Sequence, residues 1–208
     1  EADFDRGGRS VLGIRPLLWK NGWPVAGEVF KEGTYEIESE RRGYALELAV
    51  DFVRMEYTRH RFWEKDDTPV VPLKSQTLED VIGTWPQGKI NVRIGDYMFR
   101  PHQKWTITAV PDGGGYLGGP YYKIVIEGTN RALAATADAE VVTVPEFTGA
   151  PEQLWRIDQL TDGTYRIMPK EVPGTDKELV LVSVGDSTPS LDEFDMNSDN
   201  SKWNFRDH

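Results

Sequence analysis

Three tryptophans at near-equal intervals constrain this 208-residue chain more than any other feature. Trp105 and Trp155 stand 50 residues apart, and Trp203 follows 48 later. Two of them close a Gln-x-Trp triplet, Gln103-Lys104-Trp105 and Gln153-Leu154-Trp155, and Ser201-Lys202-Trp203 is a decayed third copy. Two residues beyond each indole comes Ile107, Ile157 or Phe205, on the same face of an extended strand. Upstream, each copy carries a Tyr-x-Ile pair: Tyr35-Glu-Ile37, Tyr122-Lys-Ile124 and Tyr165-Arg-Ile167. Between pair and Trp lie Ala45-Leu-Glu-Leu48, Ala132-Leu-Ala134 and Glu178-Leu-Val-Leu181. One order, kept three times, is an internal threefold repeat.

The local pattern says what each unit is made of. Apolar residues alternate or form short β-branched runs, such as Ile90 to Ile94, Val141 to Val144 and Leu179 to Val184. Twenty Gly and thirteen Pro punctuate them, which favours an all-β chain. The one helical piece is Leu73 to Ile82, a turn or two. A unit of about four short strands cannot cover its own apolar face. Three units around a pseudo-threefold axis close a barrel and leave no exposed sheet edge. The expected fold is therefore a β-trefoil. The Gln of each triplet is placed to satisfy local backbone groups through its amide.

The first repeat departs from the others. Tyr35 to Trp105 spans 70 residues, against 33 and 38 in the second and third. About thirty residues are inserted, somewhere within 51–102. Residues 9–27 fall outside the repeat altogether. There, two apolar strands flank Asn21-Gly22, the dipeptide best suited to a two-residue hairpin.

Charge and composition exclude several partners. The formal charge is -10, which argues against nucleic acid and against an anionic membrane. Residues 171–208 hold nine Asp/Glu against three Lys/Arg. The basic, aromatic run Arg54 to Arg61 reads as a solvated strand or loop. No stretch of about 18 apolar residues is present to span a bilayer as a helix. The chain has no cysteine, so disulfides, thiolate nucleophiles and cysteine zinc sites are excluded. It begins at Glu1 without a leader pattern, as a processed chain or a piece of a longer one would.

The triplets resemble the Gln-x-Trp repeat of ricin-type β-trefoil lectins and carbohydrate-binding modules, over roughly residues 33–208. The N-terminal strip, Arg15-Pro16-Leu17-Leu18-Trp19 followed by Gly22-Trp23-Pro24-Val25, resembles the closing segment of family-43 glycoside hydrolases, particularly endo-arabinanases. That second resemblance implies a parent with a five-bladed propeller that hydrolyses α-1,5-linked arabinan by inversion. Inverting carboxyl groups lie roughly 6.5–9.5 Å apart across the bound sugar, and the tail carries none of them. The implied organisation is a propeller-closing hairpin at 1–28 and a trefoil accessory domain at 29–208. The implied partners are an arabinan-like plant cell-wall polysaccharide and the catalytic propeller of the same protein. The implied location is extracellular or periplasmic. A stand-alone lectin and a protein-binding trefoil inhibitor are the rival readings.

A sugar pocket needs an aromatic platform for C–H faces and carboxylate or amide oxygens for hydroxyl pairs. The third repeat offers Asp186, Asp192, Phe194, Asp195 and Asn200, and is the favoured one. The second offers Asp138, Glu140, Phe147 and Glu152. Against this, Phe147 and Phe194 would serve equally as plugs for the barrel ends, and loop acids are usually solvated. The insertion brings Tyr57, Phe62, Trp63, Trp85, Tyr97 and Phe99; of these, Trp63, Trp85 and Tyr97 are the candidates for an interface with a catalytic domain. No catalytic residue, cofactor or metal is called for. The run Asp195-Met-Asn197-Ser-Asp199-Asn200 has the start of a calcium-loop spacing, but lacks the Gly at its sixth place and has Arg206 at its twelfth. His102 reads as structural or surface. Gly113 to Gly119 reads as a hairpin between repeats.

Overall fold

The computed structural model describes residues 2–3, 9–10, 17–20, 23–26, 30–50, 77–116, 119–160, 162–184 and 188–207. Its strands, in chain order, begin with β1 (Ala2–Asp3), β2 (Arg9–Ser10), β3 (Leu17–Lys20) and β4 (Trp23–Ala26). The first unit then supplies β5 (Gly33–Ser39), β6 (Ala45–Leu48), the short helix α1 (Leu78–Ile82), β7 (Ile90–Gly95) and β8 (Trp105–Tyr116). The second supplies β9 (Gly119–Ile126), β10 (Ala132–Ala135), β11 (Val141–Val144) and β12 (Trp155–Gln159). The third supplies β13 (Tyr165–Pro169), β14 (Val180–Ser183), β15 (Pro189–Asp192) and β16 (Trp203–Asp207).

Six of these strands form a closed antiparallel ring. β5 pairs with β8, β8 with β9, β9 with β12, β12 with β13, β13 with β16, and β16 with β5. The remaining pairs of each unit form the hairpins β6–β7, β10–β11 and β14–β15, which cap the ring. The hairpins also meet one another: Val142 pairs with Asn91, and Glu140 bridges Ser190. A six-stranded barrel with three capping hairpins is a β-trefoil, and the described residues are all-β apart from α1 and short 3₁₀ turns.

The register explains why the repeat is legible. In each unit the Tyr of the first strand lies opposite the Trp of the last: Tyr35 with Trp105, Tyr122 with Trp155, Tyr165 with Trp203. All three indoles are fully buried. Each donates its Nε1–H to a carbonyl of its own hairpin: Leu46 at 2.7 Å, Leu133 at 2.9 Å and Leu181 at 2.8 Å. A large apolar ring and its one polar atom are thus satisfied by the same unit, three times over. Ile37, Ile124 and Ile167, two residues after the tyrosines, fill the ring interior.

One residue closes the open end of the barrel, and it lies before the first repeat. Phe30 has ring centroids of Tyr35, Tyr122, Tyr165 and Phe205 at 5.2, 5.8, 5.6 and 4.5 Å. Its carbonyl accepts the Tyr122 hydroxyl at 3.0 Å. The plug is therefore Phe30 and not Phe147 or Phe194. A single ring on a threefold axis meets one tyrosine from every unit, and no repeat copy could do that.

The longer first unit is accommodated inside its hairpin. β6 and β7 pair directly, Ala45 with Gly95 through Leu48 with Val92, so the extra length leaves after Val50 and returns before Ile90. Its described end is anchored. Thr77 caps α1 in a reciprocal box with Asp80, and Leu78 and Ile82 lie over Gly128. Trp85 is buried, and the guanidinium of buried Arg131 donates to the carbonyls of Pro86 and Gly88, each at 2.7 Å. Residues 51–76, with Tyr57, Phe62 and Trp63, lie outside the described residues, as do 73–76 of the expected helical piece.

At the N-terminus β3 and β4 pair with one another and with no other described strand. Their register runs from Leu17 opposite Ala26 to Lys20 opposite Trp23, and the Asn21-Gly22 dipeptide itself lies outside the described residues. Among the described residues no helix is long and apolar enough to cross a membrane.

Candidate functional site

Each Trp is preceded by a one-turn 3₁₀ segment, Pro101–Gln103, Pro151–Gln153 or Asp199–Ser201, and by a loop that the Gln or its substitute holds. Gln103 holds its loop at three points: its Oε1 accepts from Met98 N at 2.8 Å and from Arg100 N at 3.4 Å, and its Nε2 donates to Asp96 O at 2.8 Å. In the second unit Gln153 Oε1 accepts from Thr148 N at 2.7 Å. In the third, the shorter Ser201 reaches only one group, donating from Oγ to Asp195 O at 3.2 Å. The buried Gln of the triplet is thus a loop clamp. Its side chain replaces backbone partners that a loop lacks.

Each of these loops leads into the last strand of its unit. They carry the ring candidates, and the residue following each repeat Tyr bears on them. Lys123 places its Nζ 5.6 Å from the Phe147 centroid, and the Arg166 guanidinium stands 4.9 Å from that of Phe194. Phe194 also packs on Met168, Val180 and Val182. Arg166 is itself held by Asp158, at 2.8 Å, and so is Arg156. In units two and three, then, a cation bears on the ring that was to receive a sugar.

The polar candidates divide by place. Asp192 is exposed at the end of β15 and accepts its neighbour Glu193 N–H. Exposed Asp195 accepts Asn197 N–H, and half-buried Asn200 donates its N–H to Ser198 Oγ. Asp192, Phe194, Asp195 and Asn200 share one continuous loop. Asp138 and Glu140 are exposed at the β10–β11 turn, where Leu191 N–H donates to Ala139 O at 2.8 Å. The turn of the second hairpin therefore lies against β15 of the third, and Phe147 belongs to a different loop of the second unit. Glu152 is half-buried in its 3₁₀ turn. Asp186 lies outside the described residues.

In the first unit the same loop is Asp96 to Arg100. Trp85 is covered by the chain's own core, so its ring has no face to offer a partner domain. Tyr97 is half-buried; burial, reinforced by the Glu36 and Glu127 carboxylates, pushes its phenol up to about 12. Phe99 stands against it, centroids 4.7 Å apart and planes at 56°. Phe99 is 75% exposed and has φ +57°. The place equivalent to Phe99 in the second unit, fifty residues on, is Gly149 with φ +83°. Aligning Tyr97-Met-Phe-Arg-Pro-His-Gln103 with Phe147-Thr-Gly-Ala-Pro-Glu-Gln153 puts a phenylalanine where the other copy needs glycine, a signal present in the sequence.

A polar cluster peculiar to this unit lies beneath the loop. Buried Glu47 accepts from Arg93 Nε and Gln103 Nε2, both at 2.6 Å, with His102 Nε2 at 3.5 Å. Burial pushes Glu47 up, but the hydrogen bonds from His102, Arg93 and Gln103 outweigh it and hold the carboxyl below its ordinary value. His102 is a buried member of this cluster. Among the described residues no group of three His, Asp or Glu is placed to hold a metal ion.

Residues 101–190 match the family described as "Ricin-type beta-trefoil lectin domain-like". No curated protein matches the chain. Among solved structures, a mosquitocidal holotoxin is similar at 13% identity and a TM-score of 0.57, over 86% of this chain and 18% of that one. The designed threefold-symmetric protein ThreeFoil is similar at 19% identity and a TM-score of 0.56, over 85% of this chain and all of its own. A Polyporus squamosus lectin, solved with the influenza-binding epitope Neu5Aca2-6Galb1-4GlcNAc, is similar at 16% identity and a TM-score of 0.55, over 86% of this chain and 50% of that one. The chain thus spans about a fifth of the holotoxin and half of the lectin.

Proposed function

We propose that this chain is a carbohydrate-binding β-trefoil module. In this reading it is the accessory part of a polysaccharide-degrading glycoside hydrolase, with arabinan-like plant cell-wall chains as ligand. One observation carries the binding role: the ricin-type lectin-like match falls on residues 101–190, which run from the first clamp through the whole second unit into the third. Loops fixed by buried glutamines, each with an aromatic ring or carboxylates at its tip, suit ligands that need orientation more than depth.

The hydrolase parent rests on the N-terminal strip. Its hairpin pairs only with itself among the described strands, and Trp23 on it is 75% exposed. A stand-alone lectin or a trefoil inhibitor has no use for such an element, whereas the end of a propeller leaves one. The location that follows is extracellular or periplasmic. The inserted part of the first unit is then the surface closest in kind to a docking segment for the catalytic domain.

Titration calorimetry of the chain against debranched arabinan, linear galactan and their free monosaccharides tests the binding role. Saturable heat with a polysaccharide is the expected result. Absence of heat with any of them, together with unaltered activity of the intact enzyme after removal of residues 30–208, would leave the trefoil no role in substrate capture.

A further inference from the structure

We infer that the loop Asp96 to Arg100 of the first unit is a saccharide subsite, in which Phe99 presents its ring to the C–H face of an uncharged sugar and Asp96 receives its hydroxyls. This deepens the carbohydrate-binding reading and rests on it.

Three observations converge on the loop. The first is backbone strain. Phe99 holds φ +57° where the equivalent place of the second unit is Gly149. Residues other than glycine rarely adopt this region, and those that do cluster at binding and catalytic sites. The second is accessibility. Phe99 is 75% exposed, and its one ring neighbour among the described residues is Tyr97, whereas Phe147 and Phe194 each lie under a cation. The third is rigidity with a free acceptor. Gln103 fastens both Asp96 O and Met98 N, and the exposed Asp96 carboxylate makes no hydrogen bond among the described residues. A loop tied at Asp96 O and Met98 N, with an exposed ring three residues along the chain from an exposed carboxylate, offers the two groups that a sugar's apolar face and vicinal hydroxyls require.

The ligand class follows from what surrounds the ring. Asp96 repels a uronate or sialate, and the chain's charge of -10 adds to that. Among the described residues of the loop, the exposed large apolar side chains are Met98 and Phe99. A protein partner needs roughly 800 Å² on each side, far more than these supply.

The test compares the chain with Phe99→Gly, Asp96→Ala, Phe147→Leu and Phe194→Leu. Probes are α-1,5-arabinohexaose, β-1,4-galactotetraose and tri-galacturonic acid, read by calorimetry, with sedimentation velocity alongside. Phe99→Gly is suited to the purpose because glycine relaxes the backbone there and keeps the fold. The expected result is at least a tenfold loss of affinity for a neutral oligosaccharide in Phe99→Gly and Asp96→Ala. Both leucine variants should stay within twofold, and the acidic trisaccharide should bind at least tenfold more weakly. If Phe99→Gly binds like the wild type while a leucine variant fails, the subsite is elsewhere and the carbohydrate-binding reading survives alone. Equal affinity for the acidic sugar overturns the ligand class. A change in self-association without a change in sugar affinity makes the loop an interface between copies instead. A wild type that binds none of the probes overturns both readings together.

Discussion

Two positions fifty residues apart, Phe99 and Gly149, occupy the same backbone conformation with opposite side-chain demands. A non-glycine residue in the left-handed region costs roughly 1–2 kcal/mol. Phe99→Gly should therefore stabilise the chain by about 1 kcal/mol, less a fraction for glycine's freedom in the unfolded state, even as it removes a ring. Gly149→Ala should destabilise it by about 1 kcal/mol, although nothing lies within 4 Å of an added Cβ, because the cost there is conformational alone. Urea midpoints of both variants check this, and a loss of stability in Phe99→Gly would mean that the ring is structural. The buried indoles make a second case. Trp155→Phe keeps most of the apolar volume but leaves the Leu133 carbonyl without its 2.9 Å donor. A buried acceptor left unsatisfied costs about 1–3 kcal/mol, so the denaturation midpoint should fall by that much, and a shift near zero would show the hydrogen bond to be dispensable.

The closing of the barrel depends on an element that belongs to no repeat. Phe30 packs on one tyrosine from each unit and on Phe205. Large-to-small substitution at a buried aromatic costs about 3–5 kcal/mol, and Phe30 is only partly buried, so Phe30→Ala should cost about 2–4 kcal/mol. Thermal melts should show one cooperative transition moved down and not a separate early phase, because the ring touches all three units at once. This element also marks where the sequence becomes hard to read. The strands, their order and the buried tryptophans were legible because each was written three times at a nearly constant interval, so sterically equivalent places declared themselves. Phe30 is written once and has no copy to be aligned with. Trp85 misled for the same reason: an aromatic inside an insertion reads as a surface feature, and only the Arg131 clasp and the neighbouring core show it to be covered. The rings of Phe147 and Phe194 can be picked out in the sequence, but the cations over them come from strands 24 and 28 residues upstream, at Lys123 and Arg166, and a one-dimensional pattern does not display that proximity.

At the scale of the whole molecule, the pseudo-symmetry extends to the apolar framework and stops at the charges, so the response to pH belongs to single units. The three carbonyls that receive the indoles are Leu46, Leu133 and Leu181, and the residues after them are Glu47, Ala134 and Val182. Only the first unit buries a carboxylate there. Burial raises the Glu47 pKa, but the His102, Arg93 and Gln103 hydrogen bonds bring it below its ordinary value of 4.5. A folded pKa below the unfolded one means that the ionised group stabilises the fold fully above about pH 4.5, and that this contribution is lost as pH falls through the lower, folded value. Glu36 in the same unit runs the other way. Burial, with Glu38 adding and Arg206 opposing, raises its pKa, so its neutral form favours the fold and acidification gains stability there. Glu47→Gln should therefore be less stable than the wild type at pH 7 and should lose less between pH 7 and pH 3.5. Glu36→Gln should hold or gain stability at pH 7 and lose more over the same interval. Urea midpoints at half-unit pH steps separate the two, and parallel curves for Glu47→Gln and the wild type would remove the buried carboxylate from the account of acid stability.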